Sequence, residues 1–325
     1  LETGARNHYD GAVDALASPS DGTIAMTEQL LGIDWGTSNR RAYLVDAQGN
    51  CLASHSDARG MLAAQGQFAE ALDELLATMQ VGPDTPVVMS GMVGSAQGWQ
   101  EAPYLGCEVA LADLPRHLAR VRDAGRAAPT SIVPGYCYRD GTVDVMRGEE
   151  TQLLGAQALG QGDGWVVLPG THSKWVLLQG GRIVRWATYM TGELFGTLAQ
   201  HGTLAPLMNA PNAFEDAGAF ADGLELARRR EPLTHSLFTV RARVVTGALP
   251  ASRARSLVSG LLIGTEFAAA PADGAAGRAV AVIGSPALAE RYRVAASHFG
   301  VGVTVLDPDA IYRAALAQFL KGETR

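Results

Sequence analysis

The chain has 325 residues, of which 47% are apolar, so it is long enough for about two domains and a sizeable core. A net charge of −7 with no basic block argues against nucleic acid or an anionic membrane surface as a partner. Cys51, Cys107 and Cys137 stand apart without metal-ligand spacing, which argues against a disulfide scaffold or structural zinc and points to a reducing, cytoplasmic setting.

No apolar run approaches the roughly 20 residues of a transmembrane helix. Residues 1–27 are rich in Gly, Ala, Ser and Asp, lack the basic start and apolar centre of a secretion signal, and read as a mobile leader, with Met26 as a candidate start. Residues 30–46, LLGIDWGTSNRRAYLVD, then read as a β-hairpin. Leu31 and Ile33 supply the first strand and Ala42, Leu44 and Val45 the second. The tip can serve an anion: Gly36 lets backbone N–H groups approach, and the Thr37 and Ser38 hydroxyls add donors. Asp34 would repel a phosphate unless a divalent cation lies between them, which suggests Mg²⁺ held through water. Arg40 and Arg41 can neutralise transferred charge or clamp a carboxylate. Taken alone, Asp-Trp-Gly-Thr-Ser is also what an ordinary polar turn looks like.

Further along, 50–56 reads as a third strand and 68–79 as an amphipathic helix. Residues 86–90 read as a buried strand that spills into the loop 91–95, GMVGS, the kind of strand end where α/β folds bind ligands. The pattern predicts a short helix over 114–121, a strand at 131–133, and a helix opening within 144–152, DVMRGEETQ, and running to about 159. Glu149 and Glu150 at a helix start also suit the helix dipole. Residues 160–164 are the expected domain junction, after which the pattern begins again. A strand at 165–168 meets a polar tip, Pro169-Gly170-Thr171-His172-Ser173; Lys174 opens a return strand to 178, and Gly180-Gly181 turns into a third strand at 182–188. Residues 193–200 open a helix. Residues 212–245 read as mostly helical, with Leu224, Leu226, Leu237, Phe238, Val240 and Val244 inward, and 256–270 as a Gly-containing helix. A strand at 279–283 meets Gly284-Ser285-Pro286, a good helix-start signal. A strand at 301–306 and a helix at 308–320 close the pattern.

Taken together, the segments DWGTSNRRAYLVD, SGMVGSAQGW, DVMRGEETQLLGA, LPGTHSKWV, TGELF and VIGSPALAERY resemble the 2-dehydro-3-deoxygalactonokinases of the sugar-kinase and actin superfamily. The resemblance runs from about residue 30 to the C-terminus. It implies an α/β fold of two ribonuclease-H-like, actin-like ATPase domains, at 28–160 and 161–325, with ATP in the cleft between them. It implies ATP-dependent phosphorylation of the terminal hydroxyl of 2-dehydro-3-deoxy-D-galactonate in galactonate breakdown. On this resemblance Asp34 orients Mg²⁺, and Gly36, Thr37 and Ser38 lie near the γ-phosphate. Gly170, Thr171, His172 and Ser173 form a second phosphate loop with Lys174 behind it, and Gly284, Ser285 and Pro286 form the adenosine loop. Asp144, Glu149 and Glu150 are candidates for the base that takes the hydroxyl's proton.

A sugar acid needs guanidinium partners, for which Arg40, Arg41 and Arg147 are candidates, and Ser90, Gly91, Met92 and Gly94 frame the sugar. Two features depart from the superfamily pattern. Pro169 stands where an aspartate often opens the second loop, and Gly284-Ser285 replaces paired glycines. Other readings are a kinase of the same fold for the gluconate-derived epimer, a hexose or an amino sugar, and an ATP-binding module without transfer. The expected partners are the sugar acid and ATP, with no nucleic acid or membrane; self-association into a homo-oligomer is compatible with the sequence.

Overall fold

A computed structural model describes residues 29–269 and 279–323. The leader, the start at Met26 and the expected helix end at Ala270 lie outside the described residues. The chain begins with β1 (Gln29–Trp35), β2 (Arg40–Asp46) and β3 (Cys51–Asp57), then α1 (Met61–Ala64), α2 (Phe68–Thr78) and β4 (Val87–Gly91). It continues through β5 (Tyr104–Leu105), β6 (Ala119–Arg120), β7 (Thr130–Ile132), β8 (Gly135–Tyr138), β9 (Asp144–Met146) and α3 (Glu149–Ala158). The second half holds β10 (Gly164–Leu168), β11 (Ser173–Gln179), β12 (Arg182–Tyr189), α4 (Thr191–Gln200) and α5 (Ala205–Met208). Then come α6 (Ala217–Arg228), α7 (Leu233–Val245), α8 (Ala254–Ala269), β13 (Ala279–Ile283), α9 (Pro286–His298), β14 (Gly302–Leu306) and α10 (Pro308–Glu323).

The two halves repeat one core topology, to which the first adds an edge strand, β6, antiparallel to β7. The first sheet has the order β3-β2-β1-β4-β7-β6 and the second β12-β11-β10-β13-β14. In each, three antiparallel strands are followed by two more strands parallel to the first. This is the ribonuclease-H-like arrangement, present twice. A small sheet, β5-β8-β9, stands apart from both. Sequence periodicity missed it because strands of two to four residues carry almost no alternation.

Period-2 alternation places both faces of each sheet against helices. On the first sheet, Leu31, Ile33, Ala42, Leu44 and Met89 meet α1 and α2. On the second, Trp165, Val167, Trp175 and Val282 meet α6, α8 and α9. The two inner faces share one core. Leu30, Tyr43, Val45 and Val88 from the first sheet and Val166, Leu168, Val176 and Ile283 from the second enclose Leu153 and Leu154 of α3 with Ile311, Leu316 and Phe319 of α10. Helices α3 and α10 therefore form the layer between the sheets, although α10 belongs to the second half by sequence. Helices α4 to α8 carry a further cluster around Leu226, Val240, Leu257 and Leu261.

Three expectations need correcting. The helix placed at 114–121 is a 3-10 segment, Leu111–His117, followed by β6; Pro115 removes an N–H donor and its ring opposes continuation as an α-helix. Asp144 lies on β9, and the helix begins only at Glu149, after Gly148 with φ +107°. Phe238 is 65% exposed and does not join the core.

The α3–α10 layer depends on Gly155, where a methyl group would overlap the Ile311 carbonyl. Gly155→Val is expected to lower stability by about 2–3 kcal/mol through overpacking, read as a lower urea midpoint with unchanged m-value.

Candidate active site

The first tip is folded by the Gly36 N–H donating to the Asn39 carbonyl at 3.0 Å. The Met61 and Leu62 N–H groups donate to the Gly36 and Thr37 carbonyls at 2.8 and 3.2 Å, so the tip caps the start of α1. Thr37 and Ser38 stay exposed. Asp34, at the end of β1, pairs across to Ser90 on β4. Beside it Gly91 adopts φ +90°, and a Cβ there would lie 2.9 Å from the Trp35 carbonyl and 3.5 Å from Asp34 Oδ1. A Cβ on Gly148, which also needs a positive φ, would lie 3.2 Å from the Gly91 Cα. The structure thus gathers Asp34, Gly91, Gly148 and, through Gly148, Glu149. Ser90 is buried beside Asp34 with its Oγ 2.9 Å from Tyr312 Oη, whereas Met92 packs toward the α2 core.

The neighbouring arginines of β2 point to opposite faces. Arg40 is 3% exposed; its Nη2 donates to Asp57 Oδ2 and its Nη1 to the Ala71 carbonyl, both at 2.7 Å. It also lies over the Trp35 ring. Its expected role at a substrate is therefore corrected: it is locked between β3 and α2. Arg41 faces Asp34, Nη2 to Oδ2 at 2.6 Å, and Asp309 at the start of α10, Nη1 to Oδ1 at 3.7 Å. Burial works against its charge, but the two carboxylates outweigh it and raise its pKa.

Each candidate base has a distinct setting. Asp144 accepts the Thr188 hydroxyl at 2.7 Å and the Thr188 N–H at 2.8 Å, tying β9 to β12. Glu150 is fully buried and accepts the Gly148 N–H on both oxygens at 2.9 and 2.8 Å. Burial first, and the adjacent Glu149 second, push its pKa up to about 8. Glu149 accepts the Arg147 N–H at 3.0 Å and faces Lys174 of β11, Oε1 to Nζ 3.5 Å. It thus bridges the two halves.

Arg147 lies over the Tyr104 ring at 4.3 Å and donates from Nη2 to the Ala102 carbonyl at 2.8 Å. Its Nε and Nη1 are buried without a hydrogen-bond partner among the described residues. Gly94 makes room for it: a Cβ there would lie 2.9 Å from Nη1.

The second tip leaves Gly170, Thr171 and His172 exposed, with His172 Nε2 paired to Glu193. Helix α4 docks on it through the Glu193 N–H, which donates to the Thr171 carbonyl at 3.0 Å. Gly284 adjoins this loop: its Cβ would lie 3.5 Å from the Pro169 ring, so the expected adenosine loop of Gly284, Ser285 and Pro286 stands beside the expected phosphate loop. A cavity of about 450 Å³ opens along α9, lined by Phe195, Phe214, Ser256, Ser259, Glu290 and Val294 among others.

Two members of the second loop face inward. Lys174 is 4% exposed and Ser173 fully buried. The Ser173 hydroxyl donates to Glu266 Oε2 at 2.8 Å, so its expected contact with phosphate is corrected. Glu266 was missed by sequence reading. It also accepts Trp175 Nε1 at 2.7 Å, Tyr292 Oη at 2.6 Å and the Thr191 hydroxyl. Burial raises its pKa while these donors oppose the shift. The one local signal was a charge inside the apolar run of α8. Asp309 gave no signal, being an ordinary first-turn acid.

Oxygen donors and the glycine-lined space at Asp34 fit a hard cation such as Mg²⁺. No cluster of three or more His, Cys, Asp or Glu suited to a metal occurs among the described residues. Mg²⁺ needs none, being bound commonly by one or two carboxylates together with phosphate and water.

Two ribonuclease-H-like halves, each offering a glycine-bearing hairpin tip beside the layer they share, give the chain the actin-like fold. Its relatives narrow this. The model of the 2-keto-3-deoxy-galactonokinase family matches residues 34–319, and the chain belongs to that family of kinases. It is 40% identical over 290 residues to the "Probable 2-dehydro-3-deoxygalactonokinase DgoK1" of Rhizobium meliloti (strain 1021), covering 88% of this chain and 94% of that one. It is 36% identical over 292 residues to the 2-dehydro-3-deoxygalactonokinase of Escherichia coli (strain K12), covering 90% and 97%. A crystal structure of a Sinorhizobium meliloti protein provisionally described as a 2-dehydro-3-deoxygalactonokinase superposes with a TM-score of 0.82 at 38% identity, covering 89% and 95%.

The Glu150 setting predicts a pH dependence. Its carboxyl titrates near 8 in the fold against an ordinary 4.5, so between those values the native state keeps a proton that the unfolded chain has released. Stability from this group is full below about pH 4.5 and is lost as pH rises toward 8. Glu150→Gln keeps an acceptor for the Gly148 N–H, so its urea midpoint should fall less than that of wild type between pH 5 and 8.

Proposed function

We propose that the protein transfers the γ-phosphoryl group of ATP to the terminal (6-) hydroxyl of 2-dehydro-3-deoxy-D-galactonate, releasing ADP and the 6-phosphate. The observation that carries the sugar-acid assignment is Arg147. A guanidinium with two buried, unpaired donors is costly, and a planar carboxylate is the acceptor whose geometry suits it. Exposing Nε and Nη1 requires Tyr104 or the 91–94 loop to shift when substrate enters, in keeping with closure of the two halves on substrate. Gly91 and Gly94 keep side chains out of the space beside Asp34 and Arg147.

Gly36, Thr37 and Ser38 of the first tip and Gly170, Thr171 and His172 of the second would receive the phosphates from two sides. Gly284, Ser285 and Pro286 would receive the ribose, and the adjoining cavity with Phe195 and Phe214 would take the base. Asp34 would hold Mg²⁺, which supplies charge neutralisation of the phosphates when bound. Phosphoryl transfer needs little covalent chemistry from the protein, so holding the hydroxyl in line and excluding water are its main tasks. Glu149 is the base in this reading. Asp144 is committed to Thr188 and Glu150 is sealed off, whereas Glu149 lies at the junction of the halves beside Lys174. It would take the hydroxyl's proton as the bond to phosphorus forms.

ADP release with ATP and Mg²⁺ tests the assignment across 2-dehydro-3-deoxy-galactonate, its gluconate epimer, glucose, galactose and N-acetylglucosamine. The galactonate-derived acid is expected to be strongly preferred; equal turnover of a neutral sugar would discard the carboxylate argument. Arg147→Gln should raise KM for the sugar acid by about 10- to 100-fold, the range for a charge-assisted hydrogen bond, with ATP little affected. Glu149→Gln should lower kcat by about 10²-fold or more while ADP affinity holds. A mild loss would send the search for the base elsewhere.

A further inference from the structure

The two arginines of β2 differ in how firmly they are held. Arg40 grips Asp57 with both Nε and Nη2 and is buried. Arg41 makes a single hydrogen bond to Asp34, through Oδ2, and is 41% exposed. Its other terminal nitrogen faces Asp309, itself 51% exposed. Asp309 is oriented by the Tyr43 hydroxyl, which donates to Oδ1 at 2.7 Å. Asp34 keeps Oδ1 toward Gly91, where a Cβ would stand 3.5 Å away. A guanidinium and a divalent cation that share one carboxylate weaken each other's hold, since each lowers the negative potential the other requires.

We propose that Asp309 is a positioning residue that draws the Arg41 guanidinium away from Asp34, leaving Asp34 to the divalent cation that accompanies the nucleotide. The proposal rests on the assignment of Asp34 to that cation. Both pairs are open to solvent on the arginine side, and Asp309 is half exposed; partly exposed ion pairs are weak, so the guanidinium can exchange between the two carboxylates at little cost. The last described helix thereby sets the cation affinity of a carboxylate on the first strand. Arg41 becomes a movable positive charge beside the phosphates, and Arg40 a fixed strut.

The test is calorimetric ADP binding across a MgCl₂ series and in EDTA, which involves no turnover. Arg41→Gln removes the competitor and should lower the Mg²⁺ needed for half of the affinity gain by about threefold, the size expected for a partly exposed pair. Asp309→Asn strands Arg41 on Asp34 and should raise that requirement by about threefold. Because Asp309 acts through Arg41, the double variant should match Arg41→Gln alone. Asp309→Ser, which keeps a small polar group at the helix start, serves as a second variant read in the same way. An equal effect of Asp309→Asn with and without Arg41 would overturn the proposal, showing a bare charge or a structural support. Shifts of the same sign in both single variants, or no shift, would also overturn it. Asp34→Asn separates the two levels: if it leaves the Mg²⁺ dependence intact, the assignment of Asp34 fails and the proposal with it. If it abolishes that dependence while the other variants misbehave, the assignment stands and the proposal alone fails.

Discussion

The packing of α3 and α10 into one layer between two sheets is the constraint on which the site depends. Both inner sheet faces are apolar and neither helix could cover them alone. The close approach at Gly155 and Ile311 sets how near the helices lie, and so how near the sheets lie. Each helix then begins beside Asp34. Helix α3 presents Glu149 and Glu150 behind Gly148, and α10 presents Asp309 and Tyr312. The positive ends of two helix dipoles near one point favour anions there, which suits a site for phosphates and a carboxylate despite the protein's negative net charge.

Two buried carboxylates show how the site is kept rigid. Glu266 collects donors from β11, α4 and α9, so the second tip, the helix docked on it and the helix that follows Gly284 share one anchor. Four neutral donors compensate its burial, where fewer would leave lone pairs unsatisfied. Glu150 is less generously served. Its principal donor is a single backbone N–H, and its pKa rises accordingly.

What could be read from sequence was local. Both hairpin tips, the strand-to-loop step at Gly91 and the helix start at Pro286 are written in adjacent residues, and the structure places them as expected. What could not be read was contact at a distance. Arg40 and Arg41 look alike in a string; alternation says that they face opposite ways, but which face is core depends on Ala71 and Asp57. Ser173 looks like a phosphate donor until Glu266 arrives from α8. Asp144 looked like part of a helix start, because a three-residue strand such as β9 has no period of its own. Phe238 fitted the helical count of α7, yet among the described residues it is left 65% exposed.

The path of the chain has a consequence for how the protein is made. Tyr43 and Asp309 are joined by a hydrogen bond across 266 positions of sequence, and the inner face of the first sheet is covered by residues from beyond 310. During synthesis the first half emerges with that face open, and it stays open until α10 has left the ribosome. The two halves therefore cannot mature one after the other as independent beads. Such non-local closure makes for slow folding with apolar surface exposed meanwhile. The interval between the first strand and the last helix is thus when the chain most needs protection from its neighbours.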